Sequence, residues 1–266
     1  VLMSALSGLD QALWDLKGRQ LGLPVHEMLG GRVRDRVRAY AWIGGDRPDD
    51  VGAQAAARRA QGFSAVKMNA TAEVDWMSPP DVEAVVARVR AAQAAGTEVG
   101  LDFHGRLHRA AARRLACALD GLGLMFLEEP VLSENWESLA GIAAQVSTPI
   151  ALGERLYSRW DFKQILASGL VDIIQPDLSH AGGISECRRI AALAECHDVA
   201  VAPHCPLGPL ALAACLQLAG CTPNVVLQEM SLGIHYNKGH DLLSFVVNPE
   251  VLSPVDGLLA IPAGPG

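Results

Sequence analysis

Six ionisable residues recur at nearly even steps through this 266-residue chain: Asp102, Glu128, Glu154, Asp177, His204 and Glu229. The steps are 26, 26, 23, 27 and 25 residues, each about the length of one strand, one helix and their loops. Each residue closes a mostly apolar run, as in Asp172-Ile-Ile-Gln-Pro-Asp177. Solvation alone does not explain charges placed so regularly, so we read them as one site. Asp102, Glu128 and Glu154 come from three neighbouring strands and converge. A few ångströms apart, at an effective dielectric near 20, each pair of such charges repels by roughly 4 kcal/mol. Protonation or a shared cation must relieve that crowding. Hard oxygen donors favour Mg²⁺, with Mn²⁺ as a substitute. Glu129 follows Glu128 directly, and strand alternation sends it the other way. Asp177 and His204 end adjacent strands. A carboxylate beside an imidazole fixes its tautomer and raises its pKa, which suits a general base. His104, two residues past Asp102, points to the same side as Asp102 and faces His204 across the cation. Such a pair fits a base that takes a proton and an acid that delivers one.

The rhythm that must position these residues is a short Val/Ile/Ala-rich strand, a polar or Gly/Pro break, then an Ala-rich helix. It predicts strands near Val37–Ile43, Ala65–Asn69, Val99–His104, Met125–Glu128, Pro149–Glu154, Ile173–Asp177, Ala200–His204 and Val226–Glu229. Helices are predicted over Asp81–Ala95, Arg109–Leu119, Arg159–Ala167, Ile184–His197 and Pro209–Leu218. Eight strands alternating with helices at this length argue for an α/β barrel whose active site lies on the C-terminal rim. A doubly wound open sheet is the alternative, but no GxGxxG follows the first strand. Residues 1–31 read as a helical linker and 32–266 as the barrel. Leu2, Leu6, Leu9, Leu13 and Leu16 stand three and four apart, the pattern of an amphipathic helix. The chain begins at Val1 and ends on the turn-like Pro262-Ala-Gly-Pro-Gly266, so both ends read as cut.

The net charge of −7 argues against a nucleic-acid or anionic-membrane partner, and an anionic substrate then needs locally placed positive charge. With no signal peptide and no run of eighteen apolar residues, a soluble cytoplasmic protein is expected. Six cysteines without a CxxC pair read as small buried hydrophobes in a reducing compartment. Arg32, Arg34, Arg36 and Arg38 alternate with Val33, Asp35 and Val37, which fits a strand end with a solvated face better than a nucleic-acid strip. His26, His108, His197 and His240 are expected at the surface, while His180 and His235 sit in loops after strands without an assigned role. Gly182-Gly183 reads as a helix-entry turn in preference to a phosphate cradle.

Several longer stretches carry a resemblance. They are Trp42-Ile-Gly-Gly-Asp-Arg-Pro48, Val66-Lys-Met-Asn69, Asp102-Phe-His104, Leu127-Glu-Glu-Pro130 and Gly153-Glu-Arg-Leu-Tyr-Ser-Arg-Trp160. With them go Ile174-Gln-Pro-Asp-Leu-Ser-His-Ala-Gly-Gly183, Ala202-Pro-His-Cys-Pro-Leu-Gly-Pro209 and Ser231-Leu-Gly-Ile-His-Tyr-Asn237. Together these resemble the enolase superfamily, in its mandelate racemase subgroup. The resemblance implies a TIM-like (β/α)7β barrel, here lacking most of the α+β capping domain that members carry. It implies a hydro-lyase acting on a small-molecule sugar acid, often as a homo-oligomer. It matches Asp102, Glu128 and Glu154 to the Mg²⁺ ligands and Asp177 with His204 to the base dyad. It also matches His104 to the acid that protonates the departing 3-hydroxyl, and Glu229 to a residue that hydrogen-bonds the substrate carboxylate. Where the racemases carry Lys-x-Lys this chain has Lys67-Met68-Asn69, so the second, opposing base is missing. Lys67 and Asn69 are expected to help bind substrate. The implied reaction removes the proton alpha to a carboxylate, expels water and yields a 2-keto-3-deoxy acid. An epimerase of the same subgroup, a dehydratase of another hexonate or pentonate, and a non-catalytic barrel are the alternatives.

Overall fold

The computed structural model describes residues 1–45, 47–71, 81–232 and 241–266. Asp46, His235, His240 and most of the Ser231–Asn237 stretch lie outside the described residues. In chain order the elements are α1 (Leu2–Leu21), α2 (Val25–Met28), β1 (Arg36–Trp42), α3 (Pro48–Ala60), β2 (Ala65–Asn69), α4 (Val82–Ala94) and β3 (Glu98–Asp102). There follow α5 (Arg109–Leu119), β4 (Phe126–Glu128), α6 (Ala140–Ala143), β5 (Ile150–Leu152), α7 (Arg159–Ser168) and β6 (Ile173–Ile174). The chain then runs through α8 (Gly183–Glu195), β7 (Ala200–Val201), α9 (Pro209–Cys221), β8 (Gln228–Met230) and β9 (Leu258–Ala260).

Strands β1 to β8 pair in parallel in the order β7-β6-β5-β4-β3-β2-β1-β8. A parallel bridge between Val201 and Val225 joins β7 to the approach of β8 and closes the ring. The antiparallel β9 pairs with the start of β1. The result is the expected (β/α)7β barrel. Two packed layers form it, because each strand is apolar on both faces. Tyr40, Ala65, Phe126, Ala151, Ile173, Ala202 and Leu227 touch one another inside the ring, while the larger cluster fills the space between strands and helices. Gly100 leaves room for the Phe126 ring, since a Cβ there would lie 2.7 Å from Phe126 Cε2.

The strands are shorter than the hydrophobic runs suggested. β3 stops at Asp102, β5 at Leu152, β6 at Ile174 and β7 at Val201, so His104, Glu154, Asp177 and His204 stand on the rim loops. His104 has φ of 52°, in the left-handed region, so it returns toward Asp102 by a turn and not by strand alternation. Only a single bridge between Asp177 and His204 resumes the ladder beyond β6 and β7.

Three sequence expectations are corrected. The leucine stripe of α1 is not its packing face: Leu2, Leu9, Leu13 and Leu16 are all more than 60% exposed. The helix packs on α8 and the loop before it through Ser4, Ser7, Gln11 and Trp14, spaced three and four apart on the opposite side. His26 is buried, not at the surface, with its Nδ1 2.9 Å from Gln217 Oε1. Of the six free cysteines Cys187, Cys205 and Cys215 are buried, but Cys117 and Cys196 are exposed. The arginine run acts locally. Arg38 pairs with Glu98 at 2.8 Å, and Arg34 donates to the carbonyl oxygens of Val225 and Pro223. Among the described residues no helix is long and apolar enough to cross a membrane.

Gly153 links β5 to the rim with φ of 150°, and a Cβ there would stand 2.8 Å from the Gln175 backbone. Backbone cannot swing aside as a side chain can. Gly153→Ala is therefore expected to destabilise the fold by roughly 1–3 kcal/mol and to displace the adjacent Glu154. Chemical denaturation checks this, and an unchanged midpoint would show that the β5–β6 approach has slack.

Candidate active site

The barrel mouth is organised around a buried cation. Lys67, in the middle of β2, places Nζ 2.8 Å from Glu128 Oε1, 2.8 Å from Glu229 Oε1 and 3.4 Å from Asp102 Oδ2. The register explains this meeting. Asp102 pairs with Glu128 across β3 and β4, and Glu229 lies opposite Tyr40 on β1, the strand next to Lys67. Burial alone would favour the neutral amine, but Glu128, Glu229 and Asp102 outweigh it and hold Lys67 charged, well above its usual range. Lys67 is thus enclosed by the protein's own acids.

The acids divide into two kinds. Burial, reinforced by Asp102, pushes the Glu128 carboxyl up to about 8 despite Lys67. Glu128 also accepts a hydrogen bond from Gln175 Nε2 at 2.6 Å. Glu229 opposes its burial with Lys67, His204 and the Cys205 N–H, the last at 2.7 Å, and its carboxyl falls below the usual range. Glu229 is accordingly an acceptor as it stands.

His204 is clamped from both ends. Its Nδ1 lies 2.9 Å from Asp177 Oδ2 and its Nε2 lies 3.1 Å from Glu154 Oε2. Burial favours the neutral ring, yet Glu229, Asp177 and Glu154 together raise it to about 10. His104 shows the opposite balance. Burial, helped by Lys67, Arg106 and Arg155, outweighs Glu154 and lowers it to about 4. Two imidazoles on one rim therefore differ in proton affinity by several powers of ten.

Asp102, His104 and Glu154 form the one cluster of potential metal ligands among the described residues, their ligand atoms all within 4.8 Å of one another. The anticipated trio included Glu128 instead of His104. Glu128 stands apart because both its oxygens are engaged by Lys67 and Gln175. The buried Glu154 Oε2 and His104 Nδ1 also lack an aligned hydrogen-bond partner. Two orphaned acceptors beside a carboxylate fit a divalent cation. Glu129, as expected, turns away: it accepts from Ser133 Oγ at 2.8 Å and pairs with Arg155. Asn69 lies opposite Asp102 in register, its Oδ1 buried without a partner among the described residues. At the Gly182-Gly183 turn the place a phosphate would take is filled by the Asp10 carboxylate, which accepts from Ser185 N at 3.0 Å.

Residues 50–266 match the family described as enolase C-terminal domain-like, and residues 1–30 match the mandelate racemase / muconate lactonizing enzyme N-terminal domain. The chain belongs to the enolase superfamily. It is 53% identical over 270 residues to the D-galactonate dehydratase of Ralstonia nicotianae, covering 100% of this chain and 71% of that protein. The D-galactonate dehydratase of Pectobacterium atrosepticum is 53% identical over 97% of this chain and 68% of its own length. A solved chain from Mesorhizobium loti superposes with a TM-score of 0.92 at 33% identity, over 100% of this chain and 72% of that one. What sequence reasoning missed within this superfamily site is Arg155. It spans Glu129, Glu154 and the His104 carbonyl oxygen, so it ties three rim loops together. Its place directly after Glu154 was the available signal.

A cation that binds the folded site and not the unfolded chain stabilises by RT ln(1 + [L]/Kd), about 2.7 kcal/mol at a hundredfold excess. Millimolar Mg²⁺ should raise the melting temperature by several degrees, and Glu154→Gln should remove most of that gain. Scanning calorimetry with Mg²⁺ and with EDTA checks it. Parent melting that ignores both would mean that Asp102 and Glu154 hold no cation.

Proposed function

We propose that this enzyme converts D-galactonate to 2-dehydro-3-deoxy-D-galactonate and water, with Mg²⁺ as its cofactor. The chain is a hydro-lyase, an enzyme of the carbon–oxygen lyase kind. The observation that carries the substrate reading is the identity of about half of all residues with the D-galactonate dehydratases over essentially the whole chain. The polarised pair of histidines supports the reaction type. We assign the cation to Asp102 and Glu154, with Glu128 joining once positive charge other than that of Lys67 offsets it.

When bound, the cation supplies Lewis-acid stabilisation for negative charge developing on the substrate carboxylate. The chain's own residues do the proton chemistry. Asp177 keeps Nδ1–H of His204 oriented, which leaves Nε2 to take the C2 proton. The high proton affinity of His204 comes from Glu229, Asp177 and Glu154, so offsetting the Glu154 charge brings the ring toward the neutral form that a base requires. Removal of the C2 proton gives an enediolate. Lys67 and the acids it holds set the potential around its oxygens, Asn69 contacts the carboxylate end, and Glu229 joins it there by sharing a proton with the developing charge. His104, neutral in the resting site, gains a proton as the anionic substrate arrives, and delivers it to the 3-hydroxyl, which leaves as water. The resulting enol becomes the keto acid. Epimerisation needs a second base opposite His204, and Asn69 stands where the racemases carry that lysine. A homo-oligomer belongs to the same reading.

A keto-acid colour assay with D-galactonate and Mg²⁺ tests the function, with a panel of other hexonates and pentonates as controls. His204→Asn should abolish both water loss and deuterium exchange at C2. His104→Asn should block water loss yet leave C2 exchange measurable, since proton removal comes first. Failure of the parent on every sugar acid would sink the reading, and equal loss of exchange in both variants would overturn the division of roles.

A further inference from the structure

We propose that α1, through Asp10 and its neighbours on one helix face, positions the loop that carries Asp177 and thereby aims the base His204. This rests on the assignment of His204 as the base. The loop between β6 and α8 begins at Asp177, whose Oδ2 faces His204 Nδ1 at 2.9 Å. Its own turn is tight: the Asp177 carbonyl oxygen accepts from His180 N at 3.0 Å and Ala181 N at 2.7 Å, and Oδ1 accepts from Ser179 N at 2.7 Å.

Among the described residues most further anchors of that loop come from one helix, with Cys187 Sγ of α8 adding a weak bond to the Ala181 carbonyl oxygen at 3.7 Å. Gln11 Nε2 donates to the Leu178 carbonyl oxygen at 3.0 Å. Ser4 Oγ lies 2.9 Å from His180 Nδ1, and Gly182 N donates to Ser7 Oγ at 2.9 Å. Asp10 Oδ2 accepts from Ser185 N at 3.0 Å, while Trp14 Nε1 donates to Ser185 Oγ at 2.8 Å. Asp10 therefore caps α8 from a helix more than 170 residues away in sequence. Gly182 and Gly183 are both left-handed, at φ of 81° and 77°, and a Cβ on Gly183 would stand 2.7 Å from the Asp10 Cβ. Gly183 leaves room for the Asp10 side chain, and Gly182 leaves room for Glu186 Cβ, which a Cβ there would meet at 2.8 Å. No α1 side chain touches His204 itself, so these are positioning residues. Their effect reaches the imidazole only through the backbone of the Asp177 loop.

A misaligned base lowers the rate of proton removal without weakening substrate capture, and misplacement by about 1 Å can cost on the order of a hundredfold. Asp10→Ala should lower kcat by about tenfold or more with KM within about twofold. The Mg²⁺-dependent rise in melting temperature should persist, because the candidate ligands lie on other loops. Asp10→Asn keeps an oxygen acceptor for Ser185 N and should restore kcat to within about threefold. Hydrogen exchange provides a readout independent of turnover. Amides of residues 177–185 should exchange faster in Asp10→Ala by about tenfold or more, and return to the parent rate in Asp10→Asn. That exchange pattern supports the anchoring even where the parent turns over no sugar acid, the result that would defeat the functional reading alone. Unchanged exchange overturns the proposal, as does a fall in kcat that Asp10→Asn fails to rescue. A parallel loss of the Mg²⁺ effect overturns it too, since that would mark general damage to the barrel.

Discussion

The mouth of this barrel depends on one ammonium group. Lys67 is buried with Glu128, Glu229 and Asp102 around it, and each acid is nearly inaccessible to water. Removing one partner from such a buried assembly typically costs about 3–5 kcal/mol, because an uncompensated charge remains. The fold pays for these acids with Lys67, and it does so incompletely. Asp102, Glu128, Glu154, Asp177 and Glu229 outnumber Lys67 and a protonated His204. The deficit appears as raised carboxyls at Asp102 and Glu128 and as a histidine held at about 10. A site with unmet negative charge and orphaned acceptors is poised for positive charge from outside.

Parallel closure makes this arrangement available. Each βα unit delivers its strand end to the same rim, and the short strands stop before the functional residue, which then sits on a loop with freedom to turn. That freedom is constrained in different ways. His104 and Glu129 take left-handed backbone, Arg155 ties together the loops after β3, β4 and β5, and α1 holds the loop after β6. Rigid strands place the residues to within a few ångströms, and loop anchors complete the alignment.

The sequence was most informative where chemistry and periodicity coincide. Strand ends spaced by one βα unit revealed the barrel and the six rim residues, because a parallel barrel repeats in sequence as it repeats in space. The pairing of Asp177 with His204 followed from adjacency of their strands. The balance of charges was not legible, since nothing in the sequence shows which acids enclose Lys67 until the register brings them together. The same is true of Glu128, whose engagement by Gln175 depends on β6, two strands away. The helix α1 misled because a leucine stripe is the stronger pattern, while the face that packs uses serines, an aspartate, a glutamine and a tryptophan that hydrogen-bond to backbone and side chains of the loop before α8 and its first turn. His26 misled similarly, as its partner Gln217 lies 191 residues away.

The two histidines show why elimination suits this geometry better than inversion. Inversion at a carbon needs two groups on opposite faces of that carbon, one taking its proton while the other delivers a proton to the far side. Here the environments drive the rings apart: three carboxylates gather around His204, while His104 is desolvated and flanked by Arg106, Arg155 and Lys67. Asn69 adds no third titrating group. Elimination, by contrast, uses a base at one carbon and an acid at its neighbour, and it gains from unlike partners. The charges that surround Lys67 thus also set the two rings apart.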